Sequence, residues 1–210
     1  RLRAIVAEDL RQDGIARRLM RVNVRRLDQR AFGKTQSLQR IGAARTGDNI
    51  VSSTDLYGGT WNLFHNTLKE QGIEVRFVDP ADPQAFAKAT DAKTRAYYAE
   101  TLPNPKLAVF PIREVAEIGR KLGVPLIMDN TAAPILCKPF DHGAAIVVYS
   151  TTKYIGGHSD VIGGALVAND DEIANRLKFT QNAVGAIMAP WDSFLLLRST
   201  KTLHVRLQRH

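Results

Sequence analysis

From Leu38 onward the sequence alternates short apolar runs with longer amphipathic stretches, and no other feature constrains the fold as tightly. Residues 49–53, 73–78, 94–99, 125–128, 145–149 and 162–167 read as strands. Residues 60–71, 83–89, 111–122, 171–182 and 191–207 read as helices. The helix over 111–122 is the best signposted, with Pro111 at its start and Gly123 just past its end. Strands that take turns with helices predict an α/β domain with a largely parallel sheet flanked by helices.

In such sheets, ligands sit beyond the carboxyl ends of the strands. Polar residues gather at those places here. The first strand is followed by Asp55-Leu56-Tyr57-Gly58-Gly59-Thr60, and the third by Glu100-Thr101-Leu102-Pro103-Asn104-Pro105. The fourth is followed by Asp129-Asn130-Thr131, and the fifth by Ser150-Thr151-Thr152-Lys153.

Each cluster has a chemistry and a plainer alternative. Hydroxyls and backbone N–H groups beside Lys153 suit a phosphate, and a lysine at a sheet edge can form an imine with an aldehyde. Its ordinary pKa of about 10.4 must fall for it to act as a nucleophile. The plainer reading is a surface lysine after a strand. Asp129 ends an apolar strand and needs a partner there. That partner is a pyridinium nitrogen, whose protonation makes a ring an electron sink, or a metal, or a helix N-terminus. Tyr57 in its glycine-flanked turn can stack on a flat ring, serve in proton transfer, or pack the turn. Asn104, between two prolines, can meet a ring oxygen or simply turn the chain. His158 in Gly156-Gly157-His158 is a proton shuttle or a loop-fixing residue. GxGxxG spacing, a P-loop, a GxSxG elbow and zinc-ligand spacing are all missing from the sequence.

Bulk properties narrow the class. With 44% hydrophobic and 24% charged residues, the composition is that of an ordinary globular protein. The single cysteine, Cys137, excludes an internal disulfide and fits a reducing, cytoplasmic setting. No apolar run approaches the roughly 20 residues of a membrane span, and the N-terminus does not read as a secretory signal. The net charge of +8 sits wholly in residues 1–45, which hold twelve Lys and Arg against four Asp and Glu. The remainder holds seventeen of each and offers a polyanion nothing, which argues against nucleic acid as a partner. Residues 1–37 read as an Arg-rich arm of low order, with a basic amphipathic helix over 15–27 as the alternative.

Taken together, Leu56-Tyr57-Gly58-Gly59-Thr60, Asp129-Asn130-Thr131 and Ser150-Thr151-Thr152-Lys153-Tyr154-Ile155-Gly156-Gly157-His158 resemble the Cys/Met-metabolism family of enzymes that use pyridoxal 5'-phosphate (PLP). The family includes cystathionine γ-synthase, cystathionine lyases, methionine γ-lyase and O-acetylhomoserine sulfhydrylase. The resemblance runs from about residue 38 to 210, and Glu100-Thr101-Leu102-Pro103-Asn104-Pro105-Lys106-Leu107 is most like the sulfhydrylase branch. It implies the large PLP-binding domain of the aspartate-aminotransferase type (fold type I), with the C-terminal domain missing. It implies that Lys153 holds PLP as a Schiff base and moves protons, and that Asp129 pairs with the pyridine nitrogen. By the same resemblance Tyr57 stacks on the ring, Asn104 meets its 3-oxygen, and Ser150 and Thr152 bind the phosphate; no metal is implied. The implied reaction is γ-replacement on O-acetyl-L-homoserine with sulfide or a thiol, in a cytoplasmic homo-oligomer that is a tetramer in the family.

Three departures from the pattern stand beside it. Arg30-Ala31-Phe32-Gly33-Lys34-Thr35-Gln36-Ser37 does not match the family's phosphate-binding Ser-Gly segment. The Tyr-x-Arg segment that reaches a neighbouring subunit's phosphate is absent, and the chain ends before the arginine that holds the substrate carboxylate. Three readings follow: an active γ-replacement enzyme or another branch of the family, an inactive PLP-domain fragment, or a basic-arm binding protein on a reused scaffold.

Overall fold

The computed structural model describes residues 3–4 and 44–210. The expected helix over 15–27 and the unmatched segment 30–37 lie outside the described residues. The chain divides into two compact units, one within residues 32–148 and the other combining residues 1–31 with 149–210.

The first unit is built on parallel strands. They are β2 (Asn49–Ser53), β3 (Glu74–Val78), β4 (Thr94–Glu100), β5 (Leu126–Asp129) and β6 (Ile146–Ser150), the last belonging to this unit as far as Val148. Their order is β3-β2-β4-β5-β6, every pair parallel. β4 is central and buried almost throughout, as a strand covered on both faces should be. The register pairs Ser53 with Val78, Ser52 with Tyr98, and Glu100 with Asp129. The polar residues that follow the strands therefore share one edge, as the sequence predicts.

Alternation along β4 sends Tyr97 and Tyr98 to opposite faces. Tyr97 packs edge-on against Phe86, which in turn meets Phe110. Burying each such ring contributes roughly 2–3 kcal/mol. Tyr98 packs against Leu56 and Phe64, with Ile50, Val75, Phe77 and Ile127 around them. Phe64 lies in a helix that begins as α1 (Gly58–Asn62), passes through a π-helical stretch (Leu63–Thr67) and ends as α2 (Leu68–Glu70). α3 (Pro83–Lys88) starts on Asp82, which accepts the N–H of Gln84. α4 (Ile112–Leu122) ends on Gly123 at φ +69°. It also packs so tightly that a Cβ at Gly119 would sit 2.4 Å from the Val124 carbonyl oxygen.

The second unit pairs β7 (Gly164–Ala168) with β1 (Arg3–Ala4), antiparallel, with Arg3 opposite Ala168 and Ala4 opposite Val167. Of the expected arm over residues 1–37, this short strand is the part that lies among the described residues. A strand edge needs only two residues of extended backbone to add a rung, and that demand leaves almost no mark in a sequence. α5 (Asp171–Val184) is capped by Asp170, which accepts from Glu172 and Ile173 N–H groups.

The expected single helix over 191–207 is two helices, α6 (Pro190–Thr200) and α7 (Leu203–Arg209). Hydroxyls explain the break. Thr200 Oγ1 donates to the Leu197 carbonyl, and Thr202 Oγ1 to the Ser199 carbonyl. Side chains that compete for backbone groups disfavour a continuous helix, and the Arg206 guanidinium takes the Ser199 carbonyl as well.

Candidate functional site

In the first unit, the polar edge is organised around two carboxylates. Asp129 closes β5. Its Oδ1 accepts the backbone N–H of Thr131 at 2.8 Å, and its Oδ2 faces the Tyr98 hydroxyl at 3.4 Å. Tyr98 is also hydrogen-bonded to Thr60, and burial first, then the charge of Asp129, pushes its hydroxyl well above the ordinary range. The phenol therefore stays neutral and donates. A carboxylate in these two contacts still has lone pairs able to accept from a further N–H.

Glu100 closes β4 beside it. It is 7% exposed, and burial, reinforced by the charge of Asp129, pushes its carboxyl up to about 7. Its Oε1 accepts the backbone N–H of Tyr57 at 2.7 Å, and the carboxylate also accepts the backbone N–H of Asn104. Sequence reasoning placed Glu100 after the third strand and gave it no role. The available signal was an acidic residue ending a buried run at the same edge as Asp129.

Tyr57 stands at the start of α1 with its ring 54% exposed. The ring leans on the backbone of Gly59, where a Cβ would come within 2.6 Å of Tyr57 Cε1. Glycine permits that close approach. Asn104 is exposed in a turn closed by the Leu107 N–H on the Pro103 carbonyl at 2.7 Å. Lys106 ties that turn to the loop before Tyr57 through a 2.6 Å ion pair with Asp55.

The second unit carries the lysine. Ser150 is the last residue of β6, and Lys153 is exposed in the turn that follows. Among the described residues the Lys153 amine has no hydrogen-bond or ion-pair partner. Around it, the Lys153 N–H reaches the Ser150 carbonyl, and the Gly157 N–H bonds the Lys153 carbonyl at 2.7 Å. Thr152 Oγ1 accepts the N–H of Gly163 at 3.0 Å and donates to its carbonyl at 3.3 Å. A phosphate at Thr152 would therefore compete with Gly163 for the hydroxyl proton. The Thr151 hydroxyl is buried without a hydrogen-bond partner among the described residues. Arg206 holds the loop from behind, donating to the carbonyls of Tyr154 at 2.5 Å, Ile155 at 3.3 Å and Ser199 at 3.0 Å. His158 Nδ1 meets the Gly156 carbonyl at 2.6 Å and the Ser199 hydroxyl at 3.3 Å, which is the loop-fixing alternative of the two.

The donor set fits PLP. In the first unit, a strand-end carboxylate with acceptor capacity to spare suits a pyridinium N–H, and an exposed ring over glycine suits a flat heterocycle. In the second unit, a primary amine without a partner among the described residues suits an aldehyde.

Known proteins agree with this chemistry. A probable cystathionine gamma-synthase from Herpetosiphon aurantiacus is 44% identical over 165 residues, covering 78% of this chain and 52% of its own length. The crystal structure of a cystathionine gamma-lyase from Lactobacillus plantarum, complexed with L-serine, matches with a TM-score of 0.73 and 39% identity, over 77% of this chain and 42% of that one. A putative O-acetylhomoserine (thiol)-lyase from Campylobacter jejuni, which carries a pyridoxyl-lysine monophosphate, matches with a TM-score of 0.75 and 31% identity, over 81% and 50%. The chain thus spans about half the length of the relatives it matches. The sequence model of one enzyme family, Cys/Met metabolism PLP-dependent enzyme, matches residues 33–210, and the chain belongs to that family.

Proposed function

We propose that the protein carries out γ-replacement on O-acetyl-L-homoserine, exchanging the acetoxy group for sulfide or a thiol. The observation that carries this reading is Asp129, a strand-end carboxylate with acceptor capacity to spare, in a member of the Cys/Met-metabolism PLP family. PLP, when bound, supplies an electron sink for negative charge on the amino-acid carbon skeleton.

In this reading the chain's own residues divide the remaining work. Lys153 would hold the cofactor through Nζ, and its amine would accept the substrate's α-proton and return it. Asp129 would accept the N–H of the pyridine nitrogen. Tyr57 would cover the ring and serve in proton transfer. Asn104 holds the ring's 3-oxygen, while Ser150 and Thr152 take part of the phosphate. Acetate leaves with the electrons of its carbon–oxygen bond, and the thiolate sulfur supplies the new carbon–sulfur bond. The partners are small molecules, with further copies of the chain completing an oligomer in the cytoplasm.

A second reading differs only in the nucleophile. The Herpetosiphon relative is a probable cystathionine gamma-synthase, which favours cysteine in place of sulfide.

The test is a visible spectrum of the purified chain with PLP, beside Lys153→Ala. A band near that of a PLP–lysine imine should be present in the wild type and lost in the variant. Identical spectra defeat the assignment of Lys153. Consumption of O-acetylhomoserine with sulfide or with cysteine then selects the nucleophile, and no consumption of either defeats the proposed reaction for this chain.

A further inference from the structure

Glu100 is a buried acid that the proposed reaction does not use, and its contacts are specific. Its carboxylate accepts the N–H of Tyr57, from the loop after β2, and the N–H of Asn104, from the loop after β4. These are the two residues proposed to touch the ring, one at its face and one at its oxygen. They are separated by more than forty positions in sequence, and the Asp55–Lys106 ion pair also links their loops.

We propose that Glu100 is a positioning residue: a single buried carboxylate that fixes the Tyr57 ring and the Asn104 amide relative to each other by accepting the backbone N–H of both. The inference rests on the cofactor site proposed above. A backbone clamp suits the purpose, since it sets where each side chain starts without occupying the space the ring needs. A carboxylate is also the side chain best able to accept two N–H donors at once. A neutral carboxyl offers one full acceptor oxygen and one O–H, so protonation should release one arm of the clamp.

The charged and titratable groups facing Glu100 are Asp129 on β5 and Tyr98 on its own strand. Tyr57 and Asn104 face it with backbone N–H groups. Tyr98 stays neutral throughout the working range, and Asp129 acts by repulsion. Removing that repulsion by Asp129→Asn should move the Glu100 transition to lower pH.

The experiment follows the amide nitrogen and proton resonances of the cofactor-free chain from pH 5 to 9, in the wild type and in Glu100→Gln. PLP affinity is then measured for both by titration of the bound-cofactor absorbance. The amides of Tyr57 and Asn104 should shift together through one midpoint near 7. The shared transition should vanish in Glu100→Gln, whose PLP affinity should fall by about tenfold. Independent midpoints, or a transition that persists in Glu100→Gln, overturn the clamp. Equal PLP affinity in the two proteins overturns its role toward the cofactor. A wild-type chain that titrates as expected but binds no PLP supports the clamp and defeats the cofactor reading, so the two failures are distinct. The wild-type titration alone decides the clamp should the variant not fold.

Discussion

The carboxylate edge and the lysine loop are ordered by different physics. At the ends of β4 and β5, two acidic side chains sit in register, and both are satisfied by N–H and O–H donors instead of by cations. That arrangement is rigid and carries an electrostatic cost, visible in the raised Glu100. The lysine loop carries no such cost. Its shape comes from backbone turns, glycines and one guanidinium that collects three carbonyls. The first region should therefore answer to pH and the second to steric change.

The largest expected effect breaks the comparison at Glu100. Its folded pKa lies above the ordinary value of 4.5, so between these values the folded state binds more protons than the unfolded. Stability from this group is thus fully present at low pH and is lost as pH rises toward 7, by up to about 3 kcal/mol. Urea unfolding at pH 5 and pH 8 should show that loss, and Glu100→Gln should flatten it. A wild type with no such slope would remove the electrostatic half of the contrast.

Gly156→Ala tests the steric half. A Cβ there would lie 2.7 Å from the Thr151 carbonyl oxygen, and backbone cannot swing aside. A loss of about 2 kcal/mol in unfolding free energy is expected, at either pH. Arg206→Ala removes donors from partly buried carbonyls and should cost about 1–2 kcal/mol, read by the same unfolding curves. It should also loosen Lys153, giving faster amide hydrogen exchange over residues 153–157 than in the wild type. Unchanged exchange would show that the turns alone hold the loop.

Gly59→Ala should have the smallest effect on stability, under about 1 kcal/mol. The atom it meets, Tyr57 Cε1, belongs to an exposed ring that is free to move. Its effect should instead fall on PLP affinity, measured by the same absorbance titration. Equal losses of stability from Gly59→Ala and Gly156→Ala would erase the difference between the two regions.

Local signals in the sequence were strong where an element is closed by its own residues. Pro111 and Gly123 bracket α4, and Asp82-Pro83 opens α3, because caps and fixed dihedrals act within a few residues. Asp129 and Lys153 stand out in the sequence as polar groups at or just past the ends of apolar strands, each with a plainer use beside the proposed one. The break between α6 and α7 was not read from the sequence, although the hydroxyls that compete for the backbone there, on Thr200 and Thr202, are local to it. Nor was the strand at Arg3–Ala4, which exists only because β7 offers it an edge.

By itself, then, the sequence determined the alternating architecture, the strand ends at which polar residues gather, and the motifs that mark the family. Those follow from periodicity, capping and side-chain chemistry, all of which act at short range. Only the tertiary structure decided that Glu100 stands opposite Asp129 and accepts from both Tyr57 and Asn104. Strand register and burial bring together groups far apart in the chain, and the cost of a buried charge exists only once the fold has closed over it.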